Sequence, residues 1–313
     1  LASLQSPRTN IATADPKSRP QARAHSVIAC AALPWDDSKY TENTMERRQF
    51  LAASLAASAF AIATDVAAQT SAEPTSATPA REFYQIRRYS LKSGPQLKLT
   101  ESYFGDALIP ALTRMGMGPI GAFRLDIGPE TPAYYLLIPG TSIQAHVELD
   151  LRLAQDAAFM KVAEPFWNAT AAAPAFQRVE SSLLAAFTGW PKLTPPASSA
   201  TKGKRIFQLR IYESPSNLDH VRKVEMFHSG EFELFKNAGF HPVFFGDTQI
   251  GPLLPNLHYM LSFTDMAELE KQWDVFRNDP EWKKLSANPR FSFDNIVDNI
   301  TNLILSPLAC SQF

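Results

Sequence analysis

Cysteine is nearly absent from these 313 residues: there are two, Cys30 and Cys310, and the first falls in a segment read below as missing from the mature protein. No disulfide framework can be built from what is left. A chain that is 45% hydrophobic has enough material for a core without covalent staples. One cysteine with scattered histidines also cannot supply the clustered ligands of a structural zinc site. An excess of either charge sign is missing too. Thirty basic side chains face thirty-one acidic ones, so there is no positive field to draw the protein to phosphate backbones, and nucleic acid is not an expected partner. A Gly-rich phosphate loop, a nucleophile elbow and an HExxH helix are all lacking, which argues against the common nucleotide, hydrolase and metalloprotease classes.

What is present begins with an address. Residues 1–44 mix Pro, Ser, Arg and Ala without periodicity up to the first methionine, Met45, where translation is expected to start. Residues 45–68 then read as a signal peptide: Arg47-Arg48 followed by Gln49-Phe50-Leu51, a mild Ala-rich run from Ala52 to Thr64, and small residues Val66 and Ala68 before a cleavage point. The paired arginines and weak hydrophobicity resemble a twin-arginine export signal, implying a periplasmic or secreted protein. The apolar run is well short of the roughly 20 residues that span a bilayer, so no membrane span is expected after its removal. Residues 69–80, rich in Ser, Thr, Ala and Pro, read as a flexible leader.

The remainder repeats itself. Phe83-Tyr84-Gln85-Ile86-Arg87-Arg88-Tyr89 aligns with Ile206-Phe207-Gln208-Leu209-Arg210-Ile211-Tyr212, displaced by 123 residues, and Phe104, Gly116 and Pro119 align with Phe227, Gly239 and Pro242. This period fits a duplicated small domain. The first repeat is assigned to 81–190, a Pro- and Ser-containing linker to 191–204, and the second repeat to 205–313. In the second, a strand over Arg205–Tyr212 leads to a helix over Leu218–Asn237 stopped at Gly239. Strands at Pro242–Gln249 and Leu257–Phe263 follow, then a helix opened by Asp265 and Glu268 as a capping box and running toward Phe276, and a last strand over Phe291–Ile304. The order β-α-β-β-α-β is ferredoxin-like. A sheet of that kind leaves one face bare, and a second copy covers it, so the expected architecture is α+β, two tandem repeats closing within one chain as a pseudo-dimeric α/β barrel.

The second repeat resembles the NIPSNAP family through Gln208-Leu209-Arg210-Ile211-Tyr212, Gly251-Pro252 with Asn256, His258 and Tyr259, and Asp279-Pro280-Glu281-Trp282. The first departs from it, with Gly128-Pro129-Glu130-Thr131-Pro132 before Tyr134-Tyr135 and Glu164-Pro165-Phe166-Trp167 in place of Asp-Pro-Glu-Trp. The resemblance implies the dimeric α/β-barrel fold, whose members include cofactor-free monooxygenases, haem-binding enzymes and plain binding proteins. Fold alone selects none of these.

Strand alternation puts Gln208, Arg210 and Tyr212 on one face and Phe207, Leu209 and Ile211 on the other. If the apolar set meets the helices, the polar set and its counterparts Gln85, Arg87 and Tyr89 face the barrel interior as ligand-binding candidates, with an Arg–Glu or Gln–Tyr network between the sheets as the alternative. His258 shares a face with Met260 and Ser262. It is then expected inside the barrel beside Arg210, as a general base, a haem ligand or a satisfied interior histidine. His228 and Glu231, with His220 and Glu225 nearby on the same helix, offer a one-sided polar cluster or a solvated helix face. Trp167, Trp273 and Trp282, with Phe166 and Phe276, read as packing residues. No cofactor is assigned.

Three functions stay open on this footing. One is a binder of a small organic ligand within the barrel. Another is a monooxygenase- or isomerase-like enzyme in which Arg210 and Arg87 hold an oxyanion and His258 moves a proton. The third is a non-catalytic interaction module. The first two require a cavity of roughly 300 Å3 or more lined by these residues. Higher oligomers are compatible with each.

Overall fold

Eight antiparallel strands close into one barrel in a computed structural model that describes residues 80–313. The readings of an upstream segment, a signal peptide and a leader over residues 1–79, and Cys30 with them, lie outside the described residues. The strands are β1 (Phe83–Ser90), β2 (Gly121–Ile127), β3 (Ala133–Gly140), β4 (Arg178–Ala186), β5 (Ile206–Glu213), β6 (His241–Ile250), β7 (Asn256–Phe263) and β8 (Asn299–Pro307). Around the barrel they run β1-β3-β2-β8-β5-β7-β6-β4. Each repeat thus contributes four contiguous strands, and the pairs β2–β8 and β4–β6 join the repeats, leaving no free sheet edge.

In the first repeat the helices are α1 (Pro95–Ser102), α2 (Ile109–Arg114), α3 (Ile143–Val147), α4 (Leu149–Gln155) and α5 (Ala157–Trp167). In the second they are α6 (Asn217–Met226), α7 (Phe232–Asn237), α8 (Met266–Asn278) and α9 (Pro280–Ser286). Where one helix is expected over Leu218–Asn237, α6 and α7 are separated by a π turn at Phe227–Glu231. A matching π turn at Tyr103–Leu108 separates α1 from α2. The extra residue swings Phe227 and Phe104, both fully buried, onto the sheet. Gly239 ends the second repeat's segment with φ of 84°, a left-handed conformation that glycine adopts without penalty. Asp265 caps α8 by accepting the Glu268 amide at 3.0 Å, while the Glu268 carboxylate reaches back to the amide and hydroxyl of Thr264.

The last strand begins at Asn299, not at Phe291, and runs on to Pro307. Phe291 and Ile296 are spent instead on a small buried cluster with Met226, which a short helical turn at Phe293–Ile296 makes accessible to them.

One apolar cluster draws on all eight strands, including Tyr84, Phe123, Leu137, Leu184, Phe207, Phe244, Met260 and Leu305, and therefore fills the barrel. Two further clusters lie outside the sheet, one beneath the helices of each repeat. Both faces of the sheet are thus dry, and each fully buried Phe or Leu contributes about 1.5–3 kcal/mol. Among the described residues no helix is long and apolar enough to cross a membrane.

Candidate ligand site at the mouth of the barrel

The filling is incomplete at one end. A cavity of ≈ 200 Å3 opens where the β2–β3 and β6–β7 hairpins meet, lined by Ile86, Arg88, Pro129, Tyr135, Glu180, Ser182, Leu209, Ile211, Leu253, Asn256, His258, Thr301 and Leu303 among others. Sheet register explains how these residues converge. On the first repeat's side, Arg88 lies opposite Tyr135 on β3 and Glu180 on β4. At the equivalent level of the second repeat, Ile211 lies opposite His258 on β7 and Thr301 on β8. The hairpins repeat the same relation, since Glu130 and Leu253 occupy matching places and share a left-handed backbone, φ 57° and 60°.

The duplicated mouth is therefore unequal. One wall carries Arg88, whose guanidinium donates to Glu180 at 3.1 Å and to Glu130. The other presents Ile211, Leu253 and Thr301. One guanidinium against two carboxylates leaves the charged wall with a net negative charge, which disfavours an anionic occupant. Two neutral polar groups line the space, one from each repeat. Burial pushes the Tyr135 hydroxyl up to about 12 and the His258 imidazole down to about 3, so near neutral pH one is a phenol and the other an uncharged ring. His258 Nδ1 is buried without a hydrogen-bond partner, as is Asn256 Oδ1, whose own amide group holds the hairpin through the Pro252 and Leu253 carbonyls at 2.9 and 2.8 Å. Such orphaned groups cost about 1–3 kcal/mol each unless an occupant of the cavity satisfies them.

Of the sequence candidates, His258 faces the barrel interior, but not beside Arg210. Gln208, Arg210 and Tyr212 lie on the opposite side of the sheet, beneath the helices, and Phe207 and Leu209 fill the barrel. Alternation holds and the assignment of faces is reversed. The reason is that the helices supply partners for the polar set. Gln208 accepts from Trp273 Nε1 at 2.7 Å, Arg210 donates to the Tyr212 hydroxyl at 3.0 Å with Trp273 stacked 4.4 Å away, and Tyr212 and Tyr259 share a hydrogen bond of 2.8 Å. Gln85, Arg87 and Tyr89 are likewise turned outward. Gln85 donates to Ser181, Arg87 to Asp150 at 2.9 Å, and Tyr89 packs on Phe104. An oxyanion held by Arg210 and Arg87 beside His258 is thus geometrically ruled out.

The helical cluster also comes apart. His228 is fixed by the Val224 carbonyl and by Thr188 and Gly189, His220 by Asp247 at 2.7 Å, Glu225 by Arg290, and Glu231 by Lys223. Neither His220 nor Glu231 lies on a solvated face, since both are buried. No group of three or more potential metal ligands occurs among the described residues. The mouth falls short of the cavity expected from the sequence: it measures ≈ 200 Å3 against roughly 300 Å3 or more, and of the candidate residues only His258 lines it; a porphyrin does not fit, and only a compact molecule does.

Arg88, Tyr135 and Glu180 are the residues that sequence reasoning missed. For Arg88 the signal was the 123-residue alignment, in which it falls on Ile211, the one pair of opposite polarity within the Phe83–Tyr89 motif; Tyr135 falls on His258, and Glu180 is placed only by its pairing with Arg88.

A closed antiparallel barrel of two ferredoxin-like repeats, with a cavity between them at one mouth, defines an α/β-barrel protein whose two halves are covalently joined. The family model of NIPSNAP proteins matches residues 207–312, so the second repeat is similar to NIPSNAP proteins. No curated protein matches the chain. Among solved structures it is similar to a protein of Lactobacillus acidophilus provisionally described as a monooxygenase, at 12% identity and a TM-score of 0.48, over 72% of this chain and 94% of that one. A Fusobacterium nucleatum protein so described gives 9% identity and a TM-score of 0.46, over 74% and 94% of the respective chains. An uncharacterised NIPSNAP-like protein of Burkholderia xenovorans gives 18% identity and a TM-score of 0.31, over 34% of this chain and 87% of its own.

Proposed function

We propose that the protein binds a compact, uncharged organic molecule, apolar on one flank and bearing a carbonyl or hydroxyl on the other, at the mouth of the barrel. The observation that carries this reading is the inequality of the two walls, Arg88 with Glu130 and Glu180 against Ile211 with Leu253 and Thr301. Tyr135 and His258 are the neutral groups available to hydrogen-bond the polar end. Native mass spectrometry of the protein purified from its own host tests it. A co-purifying mass present in the wild type and lost in Arg88→Ile, which puts isoleucine on both walls at this level, is the expected result; a bare protein mass in both counts against a binder.

The neutral His258 supports a second reading, proton transfer to or from such a carbonyl compound. Turnover of the co-purified molecule lost in His258→Asn, with binding retained, is its signature. We further propose export through the Arg47-Arg48 segment. Replacing both arginines by lysine is expected to abolish accumulation in the periplasm, and unchanged accumulation would dismiss this route.

A further inference from the structure

Arg87 and Arg210 are equivalent in the repeat, yet their surroundings differ. Over Arg210 the space beneath the helices is closed by the Trp273 ring, 4.4 Å from the guanidinium carbon. Over Arg87 there is instead a cavity of ≈ 320 Å3, whose lining includes Arg87, Tyr103, Asp150, Phe166, Trp167 and Phe176. It lies on the helix side of the sheet and shares no residue with the barrel mouth.

Arg87 is built into this pocket. Its side chain is 8% exposed; Nη1 donates to Asp150 at 2.9 Å, and the Tyr89 hydroxyl lies beside the guanidinium. Nε is buried with no partner. The carboxylate it meets is loosely held: Asp150 is 62% exposed at the start of α4 and makes no other side-chain hydrogen bond among the described residues. The remaining walls are flat and aromatic. Tyr103 and Phe166 stack at 3.9 Å with planes 7° apart, Phe176 lies 5.7 Å from Phe166, and the Trp167 indole is tethered to the Tyr103 hydroxyl at 3.1 Å.

We infer that this pocket is a second ligand site, separate from the barrel mouth, which takes a small aromatic carboxylate. The carboxylate replaces that of Asp150 on Arg87, and the ring lies against Phe166, Trp167 and Phe176. A planar guanidinium matches a carboxylate in geometry and charge, and stacked rings favour a planar apolar body over a branched one. Asp150 then acts as an internal competitor, which swings into solvent when the site is filled.

The test uses the full chain, benzoate as the probe and benzamide as its neutral counterpart, read by the NMR shift of the Trp167 indole N–H. Benzoate is expected to move that resonance saturably while benzamide leaves it in place. Asp150→Asn, a change at an exposed position, should tighten benzoate several-fold by removing the competitor, and Arg87→Gln should abolish the response. The inference is overturned if benzoate leaves Trp167 unmoved, if benzamide moves it equally, or if Asp150→Asn leaves the affinity unchanged. None of these results depends on what occupies the barrel mouth.

Discussion

Lys223 Nζ lies 2.6 Å from Glu231 Oε2, with side-chain exposures of 0% and 1%. A kink at Gly230, φ 145°, falls between the two residues within the π turn at Phe227–Glu231, so the chain is not a regular helix from one to the other. Desolvation pushes the lysine down and the glutamate up from their ordinary values, while their mutual attraction opposes both shifts. Rings surround the ammonium, with Phe227 at 4.4 Å and Phe293 at 4.9 Å. Glu231→Ala strands that ammonium among them and is expected to cost about 3–5 kcal/mol of unfolding free energy in urea titration. The double change Lys223→Met with Glu231→Leu should be neutral or stabilising by about 1–4 kcal/mol, because neither charge then has to be desolvated. A double variant as unstable as the single one would show that the pair itself holds the turn.

His258 supplies a pH dependence whose sign can be worked out. Its ring titrates at 6.5 when exposed and at about 3 in the folded protein. Between those values the unfolded chain binds a proton that the native chain does not, so stability falls as pH falls through this window, by up to about 1.4 kcal/mol per pH unit. His258→Asn removes the contribution. The wild type and the variant should therefore diverge in their pH profiles below 6.5 and run parallel above it, as followed by urea midpoints. Parallel profiles throughout would mean that His258 reaches solvent readily.

The repeat, the order of strands and the closure of the barrel were legible in the sequence because they rest on periodicity and on a 123-residue self-alignment, both properties of the chain alone. The direction in which Arg210 points was not. A strand buried on both faces offers no solvent side to break the tie, and polar residues were assigned to the interior before their partners under the helices, Trp273 and Tyr259, could be known. The same tie was decided correctly for His258, since Tyr259, Leu261 and Phe263 do pack on helices. Pairings such as Lys223 with Glu231 depend on an unforeseen π turn, and no spacing rule for a regular helix brings those two residues together.

Gly246 stands opposite His258 on β6, and its lack of a side chain lets the barrel wall close on Leu184 and Tyr84. A Cβ placed there would lie 2.9 Å from Leu184 Cδ2 and 3.0 Å from Leu184 Cβ. The second of these contacts cannot be relieved by a rotamer change, because Cβ moves only with the backbone. Gly246→Ala is expected to destabilise the protein by about 1–3 kcal/mol. Combining it with Leu184→Ala should lower the further loss from the cavity, giving less than the sum of the two single effects. Strict additivity in chemical denaturation would place the strain elsewhere.

Trp273 performs three tasks at once: it stacks on Arg210 at 4.4 Å, donates from Nε1 to Gln208 at 2.7 Å, and packs on Phe240 at 4.7 Å. Trp273→Ala is expected to cost about 3–5 kcal/mol, as for other buried aromatic truncations. Part of that loss comes from the void and part from a Gln208 carbonyl left without its donor. Trp273→Phe keeps one ring and, like Trp273→Ala, loses the N–H, so the difference between the two variants measures the retained ring packing, while the loss left in Trp273→Phe is an upper bound on the hydrogen bond, about 1–3 kcal/mol. The truncation also bears on ligand binding. It would open over Arg210 the kind of space already open over Arg87, and a variant that stays folded should take up a second equivalent of benzoate. If it gains none, an uncovered guanidinium in this setting is not sufficient, and the loosely held carboxylate of Asp150 is part of what makes the first repeat receptive.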